Sequence, residues 1–550
     1  MRTQKNWVKD LVIYQIYPRS FMDSNGDGIG DLAGVASRLD YLKDLGINAI
    51  WFSPVYCSPN ADNGYDISDY QNIMEEFGTM EDWEHLRDEC HSRGIRIIMD
   101  LVVNHSSDEH AWFQESKLSR DNPKSDYYIW RDPVDGKEPN NWAASFGGSA
   151  WEYEESRGQY YLHLFSKKQP DLNWACPELR EEIYSMMEWW VKKGVDGFRV
   201  DAISYLDKPE DFPDSPEAPE PDGYSFCMGM LAGRPGTHGY IHEMNQRIFR
   251  EYNVMTVGEV SAPNVEELSN YVLTERGEFD MAIPFVPPIV EVNTWSPLKM
   301  RQALKESYEP LKQSGWWARF LSNHDKPRQV SLYGNDEEYW EVSAKMLAMY
   351  IHTLPGTPFV FQGEEIGMTN VRFDSIDQYN DPEGRNRYTQ MMLDGATQEQ
   401  ALRQVQLESR DNARTPMQWD TSAQAGFTTG TPWLPVNPNY ETINVEAQKN
   451  DPYSIYQCYR KLIAMRKEHL VLREGDLQVF DIDNENLIGY SRSYDQTTWL
   501  VFHNFSDKSA EIPQEFLPSH GKILLSNYDR DGGYKGKVLR PYESVIFLEL

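Results

Sequence analysis

The feature that most limits the folds open to this chain is an alternation of apolar, β-branched runs with amphipathic stretches. Near-continuous apolar runs are typical of strands that are buried on both faces of a parallel sheet. In the stretches between them, such as 32–46 and 177–194, apolar residues recur every three or four positions, which predicts helices that end at Gly46 and Gly194. The predicted strands cover residues 11–18, 48–54, 96–105, 197–203, 253–260, 279–285, 316–325 and 357–367. Eight strand–helix alternations predict an α/β fold, a (β/α)8 TIM barrel.

The chain has 550 residues, a length that predicts two or three domains. Residues 104–175 lack the alternation and are rich in Trp, Tyr, Asn, Asp and Gly, so we predict an insert domain after the third strand. A second, polar insert is expected at about 370–435. After about residue 472, short alternating segments between Asn, Asp and Gly predict an antiparallel β domain. The predicted domains are a barrel over 1–103 and 176–472, the insert over 104–175 and a C-terminal β-sandwich over 473–550.

The balance of charges limits the partners. The chain carries 53 Lys and Arg against 86 Asp and Glu, a formal net charge of −33, which makes nucleic acids and anionic membrane surfaces poor partners. No apolar stretch is long enough for a membrane span, and the first residues lack the apolar run of a signal peptide. The five scattered cysteines form no C-x-x-C motif, which indicates reduced thiols. We therefore expect a cytoplasmic protein that does not contact membranes.

Three acidic residues stand at the ends of predicted strands, where the functional side chains of a barrel lie. They are Asp201 at the end of the fourth strand, Glu259 at the end of the fifth and Asp325 at the end of the seventh. A glycosidase needs such a set: one carboxylate attacks the sugar, another carries the proton for the leaving group, and a third steadies the sugar ring.

Arg199, His105 and His324 accompany these acids at the same strand ends. Arg199 lies two residues before Asp201 and so on the same face of its strand, where its guanidinium would keep Asp201 ionised. The two histidines can donate hydrogen bonds to sugar hydroxyls. A single acid of this kind is often a structural ion pair or a helix cap. A collection of charges at one end of a core favours a functional site, because buried charges cost free energy unless they are paired or used.

Four short strings resemble the signature regions of the α-amylase family of glycoside hydrolases. They are DLVVNH at 100–105, GFRVDA at 197–202, GEV at 258–260 and SNHD at 322–325. Three further strings are similar to the oligo-1,6-glucosidase and α-glucosidase subgroup, namely SPNADNGYDISDY at 58–70, QPDLNW at 169–174 and SRDNARTPMQW at 409–419. That subgroup also contains dextran glucosidases, trehalose-6-phosphate hydrolases and sucrose isomerases. The resemblance spans nearly the whole chain.

The resemblance implies a role for each matching residue. Asp201 matches the nucleophile, Glu259 the general acid/base and Asp325 the transition-state stabiliser. Asp62 and Arg410 match a pair that grips the non-reducing terminal glucose and closes the pocket behind it. The residues that match the lining of the first sugar subsite are Tyr65, His105, Arg199 and His324, and Phe165 matches an aromatic clamp near the scissile bond, for which simple packing is the alternative.

The segment from Asp23 to Asp31 is dense in oxygen ligands. It resembles the start of an EF-hand loop, but Gly34 stands where that motif needs Glu, so an EF-hand is excluded. In the subgroup, this loop holds a structural calcium ion. The ligands implied here are the side chains of Asp23, Asn25, Asp27 and Asp31 and the carbonyl of Ile29. The alternative is a Gly- and Asp-rich turn that binds no metal.

Two residues depart from the pattern of α-1,6-specific members. Ala202 follows the nucleophile where those members carry Val, and Lys326 stands where Gln is commoner. Members that prefer α-1,4 bonds usually carry a small residue or Thr at the position after the nucleophile, so the resemblance favours α-1,4 bonds. We therefore expect a retaining, exo-acting α-glucosidase for short α-glucoside oligosaccharides, a monomer or weak homo-oligomer without organic cofactor. The alternatives are an oligo-1,6-glucosidase, a trehalose-6-phosphate hydrolase, a sucrose isomerase, a transglucosylase or a non-catalytic relative.

Overall fold

A computed structural model describes residues 6–285, 295–312, 314–531, 533–534 and 536–550. Eight parallel strands form the central sheet, in the order β6-β5-β4-β3-β2-β1-β8-β7. This order is that of a (β/α)8 barrel, which confirms the predicted fold class. The strands are β1 Ile13–Ile16, β2 Ala49–Phe52, β3 Arg96–Val102, β4 Gly197–Asp201, β5 Met255–Ser261, β6 Met281–Phe285, β7 Ala318–Arg319 and β8 Thr357–Phe361.

The strands are shorter than the apolar runs that predicted them. The largest difference is at β7, which spans only Ala318–Arg319, so Asp325 lies six residues beyond the strand rather than at its end. The sequence SNHD that follows β7 forms turns instead. His105 likewise lies beyond the end of β3 at Val102.

The helices follow the predicted spacing. Helix Pro177–Lys192 begins with Pro at its first position and buries one stripe of side chains. The stretch 32–46, predicted as one helix, is two helices that meet at Arg38. The second ends at Gly46, whose φ of 102° is the left-handed conformation that glycine adopts readily. The other α-helices of five residues or more are Met80–Ser92, Ala111–Ser116, Pro235–Met244, Val265–Asn270, Pro297–Tyr308, Gln329–Tyr333, Trp340–Thr353, Pro382–Leu393, Gln398–Glu408, Val445–Asn450, Ile455–Glu468 and Leu470–Glu474.

The described residues divide into two compact units. The first contains Trp51–Asp88 and Arg96–Val286, and the second contains Lys5–Ile50, Glu89–Ile95 and Pro287–Leu550. The division does not follow the predicted domain boundaries, which remain a prediction.

In the first unit, the predicted insert is built from short strands. Gln159–Leu162 pairs with Trp130–Arg131 on one side and with Trp151–Glu154 on the other. Trp142–Ala143 pairs with Ser225–Phe226, which comes from the segment after β4. The apolar cluster of this region also draws on both segments: it packs Ile129, Trp142, Ala150, Trp151, Leu162 and Leu164 with Ala202, Tyr205, Phe212, Cys227, Met228 and Leu231.

In the second unit, the C-terminal segment is an antiparallel sheet of five strands, as predicted. Its order is β9-β10-β11-β13-β12. The strands are β9 Asp476–Val479, β10 Leu487–Tyr494, β11 Thr497–Asn504, β12 Gly521–Ser526 and β13 Ser544–Glu549. A separate two-stranded ladder joins Ala510–Glu511 to Val538–Leu539.

Candidate active site

Arg199 is the centre of the polar cluster in the first unit. Its side chain is buried on β4, and the register of the parallel ladder places Asp100 of β3 beside it. Nη1 of Arg199 donates to Oδ1 of Asp100 at 2.9 Å and to Oδ1 of Asp201 at 2.5 Å, while Nη2 contacts Oε1 of Glu259. One guanidinium therefore holds three carboxyl groups.

Burial decides the protonation of these acids. It raises the pKa of Asp201 to about 7, and the positive charge of Arg199 opposes that rise without cancelling it. Burial likewise raises the pKa of Asp100 to about 6, again against the effect of Arg199. The expectation that Arg199 would keep Asp201 ionised is therefore not met, because burial raises the pKa of Asp201 more than the positive charge of Arg199 lowers it.

Asp100 is held by further donors. The hydroxyl of Tyr65 donates to Oδ2 of Asp100 at 3.0 Å, and the indole Nε1 of Trp51 donates to the same oxygen at 3.2 Å. These two bonds and the ion pair with Arg199 orient Asp100. Tyr65, predicted to line the first sugar subsite, therefore also anchors the acid that supports Arg199.

The residue after Asp201 has an unusual backbone. Ala202 has a φ of 44° and a ψ of 32°, the left-handed region in which non-glycine residues are uncommon. In this conformation, its backbone N–H donates to Oε2 of Glu259 at 2.9 Å. With Arg199 on the other oxygen, both carboxylate oxygens of Glu259 are oriented.

Gln169 connects two of the predicted sugar-binding residues. Its Nε2 lies 3.1 Å from Oδ2 of Asp62 and 3.1 Å from Nε2 of His105. Burial lowers the pKa of His105 to about 4, so the imidazole is neutral at ordinary pH. Phe165 packs against His105, with ring centroids 5.2 Å apart.

A second polar cluster, in the second unit, surrounds Asp325. Its Oδ1 accepts from Nη2 of Arg414 at 2.7 Å and lies 3.7 Å from Nη1 of Arg410, and its Oδ2 lies 3.0 Å from Nε2 of His324. Burial raises the pKa of Asp325, but His324 and the two guanidiniums outweigh it, so the pKa lies well below its usual value. Arg410 is itself oriented by Asp381, whose Oδ1 accepts from its Nε at 2.8 Å.

Comparison with known proteins assigns the chain to a family. A sequence profile described as "Alpha amylase, catalytic domain" matches residues 15–475, which is most of the chain. The chain belongs to the α-amylase family. The family prediction made from the four strings is therefore confirmed, as is the prediction that the protein is an enzyme, a glycoside hydrolase.

Two relatives of this α-amylase-family enzyme are alike over nearly their full length. The oligo-1,6-glucosidase of Halalkalibacterium halodurans is 51% identical, and the alignment covers 100% of this chain and 99% of the relative. The crystal structure of the trehalulose synthase MutB from Pseudomonas mesoacidophila MX-45 is 43% identical, with a TM-score of 0.92 over 98% of this chain and 99% of MutB.

A third relative is named for a different activity. The crystal structure of a mutant trehalose-6-phosphate hydrolase from Bacillus licheniformis is 42% identical, with a TM-score of 0.93 over 99% of this chain and 100% of that chain. Relatives of similar closeness therefore carry three different names. Likeness of this degree does not by itself choose the substrate within the family.

The geometry brings the predicted catalytic residues of each unit into contact with predicted binding residues. In the first unit, Asp201 and Glu259 share Arg199; in the second, Asp325 contacts His324 and Arg410. The roles of these residues in this family member remain predictions. Residues of the clusters that the sequence did not single out are Trp51, Gln169, Asp381 and Arg414, of which Gln169 and Arg414 lie inside strings that resemble the subgroup.

The loop predicted to bind calcium has suitable donors. Its Asp and Asn side chains accept hydrogen bonds from main-chain N–H groups of the loop and of the helix that follows it. Burial raises the pKa of Asp23, but bonds from Thr428 and the loop N–H groups outweigh it, so this carboxyl is ionised. Hard carboxylate oxygens suit calcium. Within the described ranges, however, no group of three or more His, Cys, Asp or Glu side chains is arranged to hold a metal, and the ion remains a prediction.

The membrane prediction is tested only in part. Among the helices of the described residues, none is long and apolar enough to cross a membrane. The cytoplasmic location and the oligomeric state remain predictions.

Proposed function

We propose that the protein is a retaining, exo-acting α-glucosidase that releases the terminal non-reducing glucose of short α-glucosides. The observation that carries the proposal is the contact of one guanidinium, Arg199, with the carboxylates of both Asp201 and Glu259. Because the carboxyl groups of Asp201 and Glu259 contact the two terminal nitrogens of the same guanidinium, they lie close together. A short separation of about 5–5.5 Å between the two carboxyl groups is typical of retaining glycosidases, whereas inverting enzymes need about 6.5–9.5 Å.

The proposed reaction has two displacements. In the first, Asp201 attacks the anomeric carbon, the bond to the leaving oxygen breaks, and the proton of Glu259 passes to that oxygen. The product is a glucosyl ester of Asp201. In the second, Glu259 takes a proton from water, the water oxygen attacks the anomeric carbon, and the ester bond to Asp201 breaks. Glucose leaves with its α configuration, and Glu259 regains its proton.

Both acids are held in fixed orientations, and the raised pKa of Asp201 means that its proton must leave before it can attack. Asp201 ends β4 with one oxygen held by Arg199, which orients the other for attack. Glu259 is held by Arg199 and by the N–H of Ala202. Asp325, kept ionised by its contacts with His324, Arg414 and Arg410, is suited to stabilise positive charge on the sugar ring in the transition state.

For the linkage, we propose that α-1,4 bonds are cleaved at least as well as α-1,6 bonds. Ala202 is buried directly after Asp201 and carries a single methyl group, which on this proposal belongs to the wall that faces the acceptor sugar. A branched residue there would fill more of the wall, and differences of that size are worth about 1–3 kcal/mol of discrimination. The test is Ala202→Val with maltose and isomaltose. We expect the ratio of kcat/KM values to move toward isomaltose, and an unchanged ratio would show that the linkage is recognised elsewhere.

The names of the relatives favour a second candidate, an oligo-1,6-glucosidase. The relative that is 51% identical is an oligo-1,6-glucosidase. Trehalose-6-phosphate and sucrose are the further substrates that the other relatives' names suggest.

One experiment separates these candidates. The protein is incubated with maltose, isomaltose, sucrose, trehalose and trehalose-6-phosphate, and the products and their first anomer are identified by NMR. Free α-glucose from maltose supports the proposal. Cleavage of isomaltose alone would favour the second candidate, an isomerised disaccharide from sucrose would indicate an isomerase, and β-glucose as the first product would contradict retention.

A further inference from the structure

Gln15 is a polar side chain in the apolar first strand of the barrel. It lies on β1 and is 1% exposed, and its strand neighbours Tyr14 and Ile16 are completely buried. A buried amide costs free energy unless it is hydrogen-bonded. Nε2 of Gln15 lies 2.8 Å from Nδ1 of His324, so a residue near the start of the chain contacts the SNHD segment.

His324 is held on three sides. Nδ1 faces Gln15, and Nε2 lies 3.0 Å from Oδ2 of Asp325. The face of the imidazole stacks on Tyr17, with ring centroids 6.1 Å apart and planes 21° apart. The ring is completely buried, so it has little freedom to rotate.

The contact with Gln15 has a consequence for the proton of this imidazole. An amide nitrogen only donates, so Nδ1 of His324 must accept, and its proton must then be on Nε2, directed at Asp325. A second proton would make the ring cationic. Asp325 favours that charge, whereas Arg414 at 2.7 Å and Arg410 at 3.7 Å from the same carboxylate oppose it, so the contact with Gln15 decides between the two forms.

We infer that Gln15 is a positioning residue that holds His324 as the neutral Nε2–H tautomer, so that His324 donates to Asp325 and fixes the orientation of that carboxylate. The importance of this for catalysis rests on the proposed role of Asp325. An orienting partner of this kind matters because the tautomer of a histidine is set by the bond that its other nitrogen makes.

The direct test needs no change to Gln15. In wild-type protein labelled with 15N in histidine, the His324 signals are assigned by comparison with His324→Asn. We expect a neutral ring at pH 7, with the proton on Nε2. A proton on Nδ1, or on both nitrogens, would overturn the inference whether or not the protein hydrolyses glucosides.

Two substitutions test the consequence. Gln15→Leu removes the donor at nearly constant volume, and we expect kcat/KM to fall about 10- to 100-fold, as when orienting partners of histidine ligands are lost. The fall should be mainly in kcat, since the interaction serves the transition state. Gln15→Glu is isosteric but can only accept, so it should draw a proton to Nδ1 and make His324 cationic, which the same NMR signals report.

Gln329→Leu is the matched control. Gln329 is also buried, and its Nε2 donates to the hydroxyl of Tyr459 at 2.9 Å. The Gln329→Leu variant should lose about as much thermal stability as Gln15→Leu, but its kcat/KM and its His324 signals should be those of the wild type. If Gln15→Leu keeps kcat/KM within twofold of the wild-type value, the positioning role is wrong. If the wild-type protein cleaves no α-glucoside, the proposed function fails, and the NMR result still decides the tautomer.

Discussion

Arg199 contacts three carboxyl groups at once, and its positive charge explains how these acids can be buried together. A lone buried carboxylate shifts its pKa until it is neutral, whereas carboxylates around one guanidinium share a positive charge. Losing one partner of such a group leaves the others uncompensated, at a cost of about 3–5 kcal/mol. Changes at Arg199 should therefore affect stability and catalysis together, whereas isosteric changes of single acids separate the two.

Glu259→Gln is such an isosteric change. It keeps the shape of the side chain but removes the transferable proton. We expect kcat/KM for maltose to fall about 100-fold or more, while nitrophenyl glucoside, whose leaving group needs no proton, is spared in the first step. Azide, which needs no base, should then restore turnover by attacking the glucosyl ester. An equal loss on both substrates without azide rescue would contradict the acid/base role.

The raised pKa of Asp201 predicts the acid side of the pH profile. As the proposed nucleophile, Asp201 must be ionised to attack, and burial raises its pKa to about 7 while that of Asp100 rises to about 6. As the pH falls below 7, the pair takes up protons, so kcat/KM should fall with an apparent pKa well above 4. The value belongs to the interacting pair rather than to one residue. It is measured from kcat/KM for maltose between pH 4 and 8, and a midpoint near 4 would show that Asp201 is solvated as an ordinary acid.

Individual residues differ in how far the sequence predicts them. Asp201 and Glu259 follow from apolar runs that end in an acid, because β4 and β5 are regular strands. Gln169 lies in an irregular segment and Arg414 ends a helix of only four residues, too short for a periodicity that would indicate the direction of a side chain. Gln15 is hidden for the opposite reason: a single polar residue in an apolar strand does not disturb the pattern that predicts the strand.

At the scale of elements, the loop from Asp23 to Asp31 is tied to a distant part of its unit. Gly28 has a φ of 94°, and a Cβ there would lie 1.8 Å from the carbonyl oxygen of Thr431. Thr428 also bonds Asp23. The conformation of the loop therefore depends on the close approach of the segment around Thr428 and Thr431. A cation that neutralises the carboxylates of the loop should stabilise this conformation.

We propose that a calcium ion bound by this loop contributes to stability. A ligand that binds only the native state raises stability by mass action. Removing calcium with a chelator should therefore lower Tm, and adding it back should restore Tm, with little change in kcat once folded. Asp27→Asn, which removes a charge but keeps the size, should weaken the calcium dependence of Tm. A Tm that is the same with and without calcium would argue for a turn that binds no metal.

The elements also show where pattern reasoning fails. The break between the two helices at Arg38 lies inside a continuous helical pattern. The pattern could not reveal it, because two short helices and one long helix have the same spacing of apolar residues. The short length of β7, only two residues, has a different cause. The run 316–325 is apolar enough for a longer strand, but the polar residues from Ser322 onward turn toward their partners: Ser322 bonds Glu364, and Asp325 bonds Arg414.

At the scale of the whole molecule, the proposal predicts attack from chain ends only. The resemblance to the subgroup implies that Asp62 and Arg410 grip the non-reducing terminal glucose. We therefore expect maltose and maltotriose to be cleaved far faster, per mole of bond, than the internal bonds of soluble starch. The measurement compares glucose release with the loss of iodine colour, which reports internal cuts. A rapid loss of colour at low glucose release would contradict the exo mode.

The apolar cluster shared by residues 129–164 and 202–231 has a consequence for engineering. A common way to give an enzyme a relative's preference is to transplant an excursion from its scaffold as a module. Here, Trp142 and Trp151 pack with Ala202 and Tyr205, and Trp142–Ala143 pairs with Ser225–Phe226. A transplant that exchanges only residues 104–175 would replace one part of this hydrophobic core and leave the other part, in residues 202–231, unchanged. A graft that carries residues 202–231 along would keep the core whole, and it would carry the wall beside the nucleophile with it.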